Sequence, residues 1–581
     1  FFGCFCFLSV VGQQDMLKEL LTNGLGRMLL LLLVLTVVKG DYCDPSQSCW
    51  PTQHDINQLY EALDPSISRT LEWEAPNPRV CAVPVNSTGE QPLYGLGERS
   101  MKPLYQEDID GPNNLCFQKN GGDFCRASTR NNPLSGYAPA FVVWPTTVGH
   151  VQTIIQFAND HNLCVTAAGT GHDFMNRHSC QNSIFVRMSL FKDISFDEND
   201  TRGGGDGSIT MGPGNVFDEI ESFAGKHGRH VASGWANTVG IIGWSIGGGH
   251  GPFGNNAGLG VDNILEAQIV IANGTVLTTN DKENADLFWA LKGGGGSTWG
   301  IITSITVRAH LTPSAGITTA TYIWIGSFCQ WNELENLVDS YMDWSLTLQS
   351  EWSGLGWFAP SRSDAKGTCG GSWYGLLLYV YLGGQDEQFK TDTDSLLSSA
   401  PPFPYKNYTT YSNWGDYVTS KDLEPIIPVP WLPPLASSST GGIPSVLVSR
   451  EKTSEGTLGK VIKERLEKCK NDDGCPRQEL YNDITGNLGS EKTWDPLVSI
   501  SEGMRTSLFH YVVGSAGTSE ADDIYQQLGK NSYFAESAYT MEDGQHRYWG
   551  ENYEKLLSVK ESVDPNQRFW CHHCVGDDFS S

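Results

Sequence analysis

Gly169-Thr170-Gly171-His172-Asp173 lies just beyond an apolar run, Leu163-Cys164-Val165-Thr166-Ala167. A strand that runs out into such a turn brings main-chain N–H groups close to a phosphate or a ring, because glycine carries no Cβ. The histidine in the turn is then held against whatever the backbone cradles. Taken alone, the stretch also reads as an ordinary turn with His172 a turn residue.

Two further segments add weight. The first runs from Thr238 to Gly251 and carries Gly240, Gly243, Gly247, Gly248, Gly249 and Gly251 before His250-Gly251 gives way to Gly254 and Gly258-Leu259-Gly260-Val261-Asp262-Asn263. The second is Leu287 to Thr303, with Gly293 to Gly296 at its centre, and it leads into a strand read over 301–309. Such runs can wrap a pyrophosphate with main-chain donors, or simply be flexible loops. A dinucleotide fingerprint needs a strand, G-x-G-x-x-G, a helix and an acid about 20 residues on. None of these runs has that context, so a Rossmann site is not expected.

Composition sets the outer limits. A chain of 581 residues is long enough for two or three domains. Its 64 glycines are about 11%, against a usual ~7%, and the excess lies in these loops. With 18 Trp, 21 Tyr and 24 Phe it can line an aromatic pocket. A net charge of −27 argues against nucleic acid and anionic membranes as partners.

The order of Val142-Val143-Trp144-Pro145, Thr170-Gly171-His172-Asp173-Phe174, Thr238-Val239-Gly240, Gly247-Gly248-Gly249-His250, Gly258 to Asn263 and Gly293 to Thr303 resembles the PCMH-type FAD-binding domain of the vanillyl-alcohol oxidase superfamily. The tail from Tyr548 to Leu557, with Lys560 and Asp564-Pro565, resembles the C-terminal segment of its berberine bridge enzyme-like branch. The resemblance covers about 136–312 and 530–577. It implies an α+β fold: a PCMH-type FAD-binding domain of two α/β subdomains plus an antiparallel-sheet substrate domain with flanking helices. It also implies FAD bonded covalently through His172, with Gly169, Thr170, Gly171, Asp173, Thr238, Val239, Gly240, Gly243, Gly247, Ile302 and Asn552 around the cofactor. Many members add a second bond from a cysteine in Cys-Pro-Thr-Val-Gly. Here the pattern reads Ala236-Asn237-Thr238-Val239-Gly240, so a single bond is expected. An arginine frequent before the family's Gly-Gly-His is also missing, with Ala167-Ala168 at that point.

The family's oxidases take a substrate hydroxyl proton with a tyrosine in a Tyr-x-Asn-Tyr pattern near the C-terminus. The corresponding stretch here is Ser532-Tyr533-Phe534-Ala535-Glu536. Glu536 is therefore the candidate base, ionised at neutral pH with an ordinary pKa of ~4.3, or else a solvated loop acid. Tyr533 and Tyr553 are the alternates, either of which could instead pack on the flavin. His250 is read as a spacer near the cofactor. The implied activity is oxidation of an alcohol or carbohydrate-like small molecule by hydride transfer to FAD, with O2 reduced to H2O2. The alternatives are an FAD-dependent dehydrogenase, a ring-closing oxidase of secondary metabolism, and a non-catalytic flavin-fold binding protein.

The first 40 residues read as leader. Arg27 precedes the apolar stretch Leu29 to Val38, and Val38-Lys39-Gly40 suits signal cleavage, so a secreted protein is expected, with no membrane partner once the signal is removed. A signal-anchor is the alternative. Of 15 cysteines, Cys4 and Cys6 precede this signal, leaving 13. In an oxidising compartment most should pair. Short loops suggest Cys43–Cys49, Cys116–Cys125 and Cys469–Cys475, and Cys164 is expected to stay unpaired. Cys571-His572-His573-Cys574 has half a zinc site's spacing and is read as disulfide or surface cysteines, so no metal is expected. Sequons stand at Asn86, Asn199, Asn273 and Asn407. The domain map is a Cys-containing extension over 41–135, the FAD-binding domain over 136–312 with alternating strand and helix, the substrate domain over 313–529, and a tail over 530–581 returning to the FAD domain. Pro-rich 424–434 is expected to be a long loop, at the active-site rim or on the surface.

Overall fold

Val148, Val151, Ile154, Ile155 and Ala158 recur at helical spacing, and Thr147 can cap the first turn. In the computed structural model of the chain, Val148–Asp160 is a helix, the Thr147 hydroxyl accepts from the His150 N–H at 3.2 Å, and Val151, Ile154, Ile155 and Ala158 form its buried face. The structure describes residues 42–63, 141–173, 175, 177, 178, 180, 182–362, 371–420, 444–471, 479–483, 497–513, 518–538 and 541–577. The expected signal segment, the pairs Cys116–Cys125 and Cys469–Cys475, Asn86 and the Pro-rich stretch 424–434 lie outside what is described. Among the described residues, no helix is long and apolar enough to cross a membrane.

The Val148–Asp160 helix packs on a parallel sheet of order β1-β3-β2, made of β1 (Phe141–Val143), β2 (Val165–Ala168) and β3 (Ile184–Arg187). Beyond it helices still intervene along the chain, but the strand pairing changes. The next sheet is antiparallel throughout: β4 (Ile194–Asp197), β5 (Ser208–Met211), β6 (Ile264–Val270), β7 (Val276–Thr279) and β8 (Ile301–Arg308), in the order β4-β5-β8-β6-β7. The reason is local. Asn273-Gly274 closes a hairpin, with Gly274 at φ +81 and the Gly274 N–H donating to the Ile271 carbonyl, so no crossover helix separates β6 from β7.

Residues 317–513 build a seven-stranded antiparallel sheet. Its strands are β9 (Ile317–Ser327), β10 (Trp352–Arg362), β11 (Gly371–Tyr381), β12 (Tyr405–Tyr411), β13 (Ser445–Ser449), β14 (Glu479–Asp483) and β15 (Ser507–Val513), in the order β12-β9-β11-β10-β14-β15-β13. Trp344, Trp352, Tyr379, Tyr381 and Phe389 form a buried aromatic cluster on it. Gly354 lets it close: a Cβ there would sit 2.4 Å from the Tyr379 ring.

The tail packs on the first two sheets and the loop that leads into β8. The buried Lys560 ammonium pairs with Asp564 at 2.6 Å and donates to the carbonyls of Thr298 and Phe569. The Trp549 indole donates to the Gly293 carbonyl, and Val165 of β2 donates its N–H to the Arg568 carbonyl.

One cysteine expectation is corrected. Cys164 is not free; it pairs with Cys180, which the turn after His172 brings back beneath β2. Cys43–Cys49 forms as expected, and Cys571 pairs with Cys574, so neither of those thiols is available to a metal. Asn199 and Asn273 are exposed and Asn407 is half-buried.

Glu221, in the helix Phe217–Lys226, is wholly buried, and that burial pushes its carboxyl up to about 8 from 4.5. A carboxyl raised on folding stabilises fully below its unfolded pKa and loses that contribution as pH rises through the folded one. Glu221→Gln should therefore raise the melting temperature by several degrees near pH 8 and leave it unchanged near pH 4.5, as read by thermal unfolding at the two pH values.

Candidate active site

A cavity of about 350 Å³ opens between the parallel sheet, the glycine-rich segments and the seven-stranded sheet. Gly169, Thr170, Gly171, His172 and Asp173 form one wall as the chain leaves β2. Ala236, Val239, Gly240 and Gly243 form a second, Ile302 of β8 a third, and Tyr533 to Glu536 a fourth. The His172 ring is oriented by a 2.9 Å hydrogen bond between its Nε2 and the Thr238 hydroxyl. The Thr170 hydroxyl accepts from the Gly240 N–H at 3.2 Å, locking the two glycine-bearing loops together.

Asp173 does not face the cavity as a free acid. Its Oδ1 accepts from the N–H groups of Met175 and Arg177, and its Oδ2 takes the Arg177 guanidinium at 2.8 Å. Arg177 is buried; it also donates to the Phe534 carbonyl at 2.8 Å and lies 3.8 Å over the Phe534 ring. The guanidinium thus bridges the His172 turn to the loop that carries Glu536.

That loop is laid along the edge strand β13. Leu447 donates its N–H to the Asn531 carbonyl, Ser532 donates its hydroxyl to the Ser445 carbonyl, and the Ser445 hydroxyl donates to the Glu536 carbonyl. The Glu536 carboxylate then meets two imidazoles. His250 Nε2, from the loop after the helix Ile241–Ile246, is 3.2 Å from Oε1. His510 Nδ1, from β15 opposite Leu447, is 3.6 Å from Oε2. Burial is the largest influence on Glu536 and pushes its carboxyl up, but His510 and then His250 outweigh it and hold the group below its ordinary value. Burial drives His510 down to about 3 against the opposing pull of the Glu536 carboxylate. Tyr533 behaves oppositely. Burial first, and then the Glu536 charge, push its phenol far above its ordinary range, and its oxygen accepts the Gly249 N–H at 3.1 Å. Glu536 is the ionised group of the pair and Tyr533 the protonated one.

The structure does not bring every candidate together. Tyr553 lies off the cavity; its ring stacks on Trp549 and its oxygen accepts the Gly576 N–H. Asn552 is also off the wall and donates to the Ile500 carbonyl at 2.9 Å. Gly247 backs the cavity, where a Cβ would sit 3.4 Å from Phe534. His250, read as a spacer, is within hydrogen-bond reach of Glu536. His510, Arg177 and Trp244 were not singled out in the sequence; for His510 the one available signal was a histidine inside an otherwise apolar strand.

The cavity glycines test the fit to a bound group. At Gly169 a Cβ would lie 2.4 Å from the Pro213 carbonyl, so protein packing alone demands glycine there. At Gly243 a Cβ would meet nothing within 4 Å, and at Gly296 only Ile246 at 3.8 Å. Bare backbone facing open cavity at those two positions is a cradle that side chains would fill.

Family models match at both ends of this site. One for the FAD binding domain covers residues 139–280, and one described as berberine and berberine like covers 532–576. The chain therefore carries an FAD-binding domain and a berberine-like C-terminal segment, and its relatives are FAD-linked oxidoreductases. It is 27% identical to an uncharacterised FAD-linked oxidoreductase of Arthroderma benhamiae, over 92% of this chain and 94% of that one. To the FAD-linked oxidoreductase easE of Epichloe festucae var. lolii it is 32% identical over 46% of either chain, so it spans about half the length of that relative. Its fold is similar to that of the VAO-type flavoprotein MtVAO615 of Myceliophthora thermophila, with a TM-score of 0.67 at 20% identity, covering 93% of this chain and 97% of that one. The protein is an FAD-dependent oxidoreductase, and its α+β fold is similar to that of the VAO-type flavoproteins.

Gly243→Val should fold normally but retain little FAD, because its side chain enters the cradle and touches no protein. The ratio of flavin to protein absorbance in the purified variant, set beside an unchanged circular-dichroism spectrum, measures this.

Proposed function

We propose that the protein oxidises a small hydroxyl-bearing molecule, an alcohol or a carbohydrate-like compound, using Glu536 as the base, and that molecular oxygen takes up the two electrons and leaves as hydrogen peroxide. One observation carries the reading: a half-buried carboxylate, held below its ordinary pKa with two imidazoles against it, faces the cavity in which the FAD-binding segments converge. Bound FAD supplies the two-electron oxidation. The chain supplies position and proton transfer. Glu536 takes the hydroxyl proton as the hydride leaves the adjacent carbon. The protonated Tyr533 hydroxyl, fixed by the Gly249 N–H, offers a hydrogen bond for orienting the substrate oxygen. Trp235, Trp244 and Leu355 keep the cavity apolar, which excludes bulk water and favours an uncharged substrate.

His172 is the proposed covalent attachment point. It lines the cavity, and Thr238 fixes its ring. Ala236 occupies the cavity wall without a thiol, which supports a single bond. Secretion is part of the same reading. Its support is Cys43–Cys49, Cys164–Cys180 and Cys571–Cys574, disulfides that persist in oxidising compartments.

Glu536→Gln should slow anaerobic flavin reduction by roughly 10²–10⁴-fold while FAD stays bound. The pH profile gives an independent check. A base held below its ordinary 4.5 stays ionised at all higher pH, so kcat/KM should be flat through neutrality and fall only in strong acid. That acid limb should vanish in Glu536→Gln. Stopped flow across a panel of alcohols and oligosaccharides, with peroxide release as the steady-state readout, tests both; a wild-type reduction rate in the variant removes Glu536 from the role.

Denaturation should leave FAD on a single peptide containing His172, and His172→Ala should release its flavin to acid. Peptide mapping with flavin fluorescence reads this, and flavin on a second peptide would contradict the single bond.

A further inference from the structure

His250, His510 and Glu536 come from three separate elements, yet their donor atoms all lie within 4.8 Å of one another. We propose that these three residues form a binding site for a borderline divalent ion of the Zn2+ class on the inner wall of the cavity, and that its occupancy switches substrate oxidation off by engaging the Glu536 carboxylate.

The geometry is that of a small ligand cage. With Zn–N and Zn–O bonds of about 2.0–2.2 Å, neighbouring ligand atoms of a tetrahedral ion stand roughly 3.3–3.5 Å apart. His250 Nε2 stands 3.2 Å from one oxygen of Glu536 and His510 Nδ1 3.6 Å from the other, and with one ligand atom from each residue all three lie within 4.8 Å, so side-chain rotations can close the set to that spacing. Two imidazoles and one carboxylate suit Zn2+ and its neighbours, whereas Mg2+ and Ca2+ prefer an oxygen set. Three protein ligands leave a coordination position open, as catalytic zinc sites do. Glu536 and His250 both line the cavity, so that position opens toward the place a substrate would occupy. The chain's net charge of −27 raises the local concentration of cations.

The same structure limits the affinity. To ligate through Nε2, His250 must carry its proton on Nδ1, a buried nitrogen that finds no hydrogen-bond partner among the described residues. Strong zinc histidines donate that second N–H to a carboxylate or carbonyl, and its absence weakens a site by roughly 10–100-fold. The site is therefore a reversible one that fills and empties with ambient metal, not a permanent structural centre.

The binding half of the proposal stands on geometry alone; the switching half rests on the reading of Glu536 as the base. The test separates them. Chelator-treated, FAD-loaded protein is titrated with Zn2+ by calorimetry and with Co2+ by its visible d–d bands, beside Glu536→Gln and His250→Gln. The expected result is one ion per chain in the wild type and a loss of affinity of roughly 10–100-fold or more in each variant. No binding, or binding that both variants keep, overturns the site. Zn2+ should also slow wild-type flavin reduction, EDTA should restore it, and substrate should compete with the ion. If one ion binds with the expected variant dependence but reduction is unaffected, the switch is overturned and the site is kept. If Glu536→Gln itself reduces flavin at the wild-type rate, it is the base reading that fails, whatever the calorimetry shows. Circular dichroism of both variants checks that a lost signal is not a lost fold.

Discussion

One buried guanidinium holds this site together. Arg177 pairs with Asp173 four residues earlier and reaches the carbonyl and ring of Phe534, 357 residues away in sequence. Burying an arginine costs several kcal/mol in desolvation, and that cost is recovered only where its donors find partners in good geometry. The carboxylate, the carbonyl and the aromatic face supply them. In return, the turn bearing His172 and the loop bearing Glu536 are fixed to a single planar group. Lysine could supply the charge but not the fork or the stacking.

The electrostatics around Glu536 follow from that placement. A carboxylate drawn into an apolar cavity would ordinarily take up a proton. Here one polypeptide edge, β13, fixes the backbone of the loop, while His250, from the loop after a helix, and His510, from β15, approach the two carboxylate oxygens. The imidazole nitrogens replace the water the carboxylate has lost. Tyr533, only three residues earlier, is driven the other way by burial and by the Glu536 charge, which outweigh the Gly249 N–H it accepts, and remains a phenol. Two acids in one short loop are thus driven to different protonation states by what surrounds them, which is the condition for dividing base and hydrogen-bond donor between them.

Much of this was legible in the sequence, and the parts that were not share a physical character. The glycine runs announced the cofactor cradle because glycine's lack of a side chain is itself the signal. The helix Val148–Asp160 followed from periodicity, whereas the antiparallel sheet was implied by the resemblance. Glu536 was singled out because its stretch stands where the family carries Tyr-x-Asn-Tyr. His510 was not, because its role depends on β15 pairing with β13 so that residue 510 stands opposite Leu447, and register cannot be read from one strand. Cys164 looked like a buried free thiol in a strand; its partner arrives through a turn whose path is set by Asp173 and Arg177. Tyr553 and Asn552 were drawn in by an aromatic-rich tail whose rings mostly serve to pack it, through Trp549 and Lys560, onto the glycine loop at 293–298.

The glycines divide into two kinds that composition cannot separate. At Gly169 and Gly251 a side chain would strike protein, 2.4 Å from Pro213 and 1.8 Å from Ser233, so the backbone itself requires them. At Gly243 and Gly296 protein requires nothing, and the space is reserved for something else. The two kinds alternate along the same segments, so the loops are rigid where they touch each other and bare where they face the cavity. That bears on Ala236. With no thiol at this position, the orientation of a bound flavin falls to the shape of the walls and to whatever His172 contributes. A cradle whose bare positions are backed by fixed ones can supply that orientation, and Arg177 keeps the same walls in register with the carboxylate that faces them.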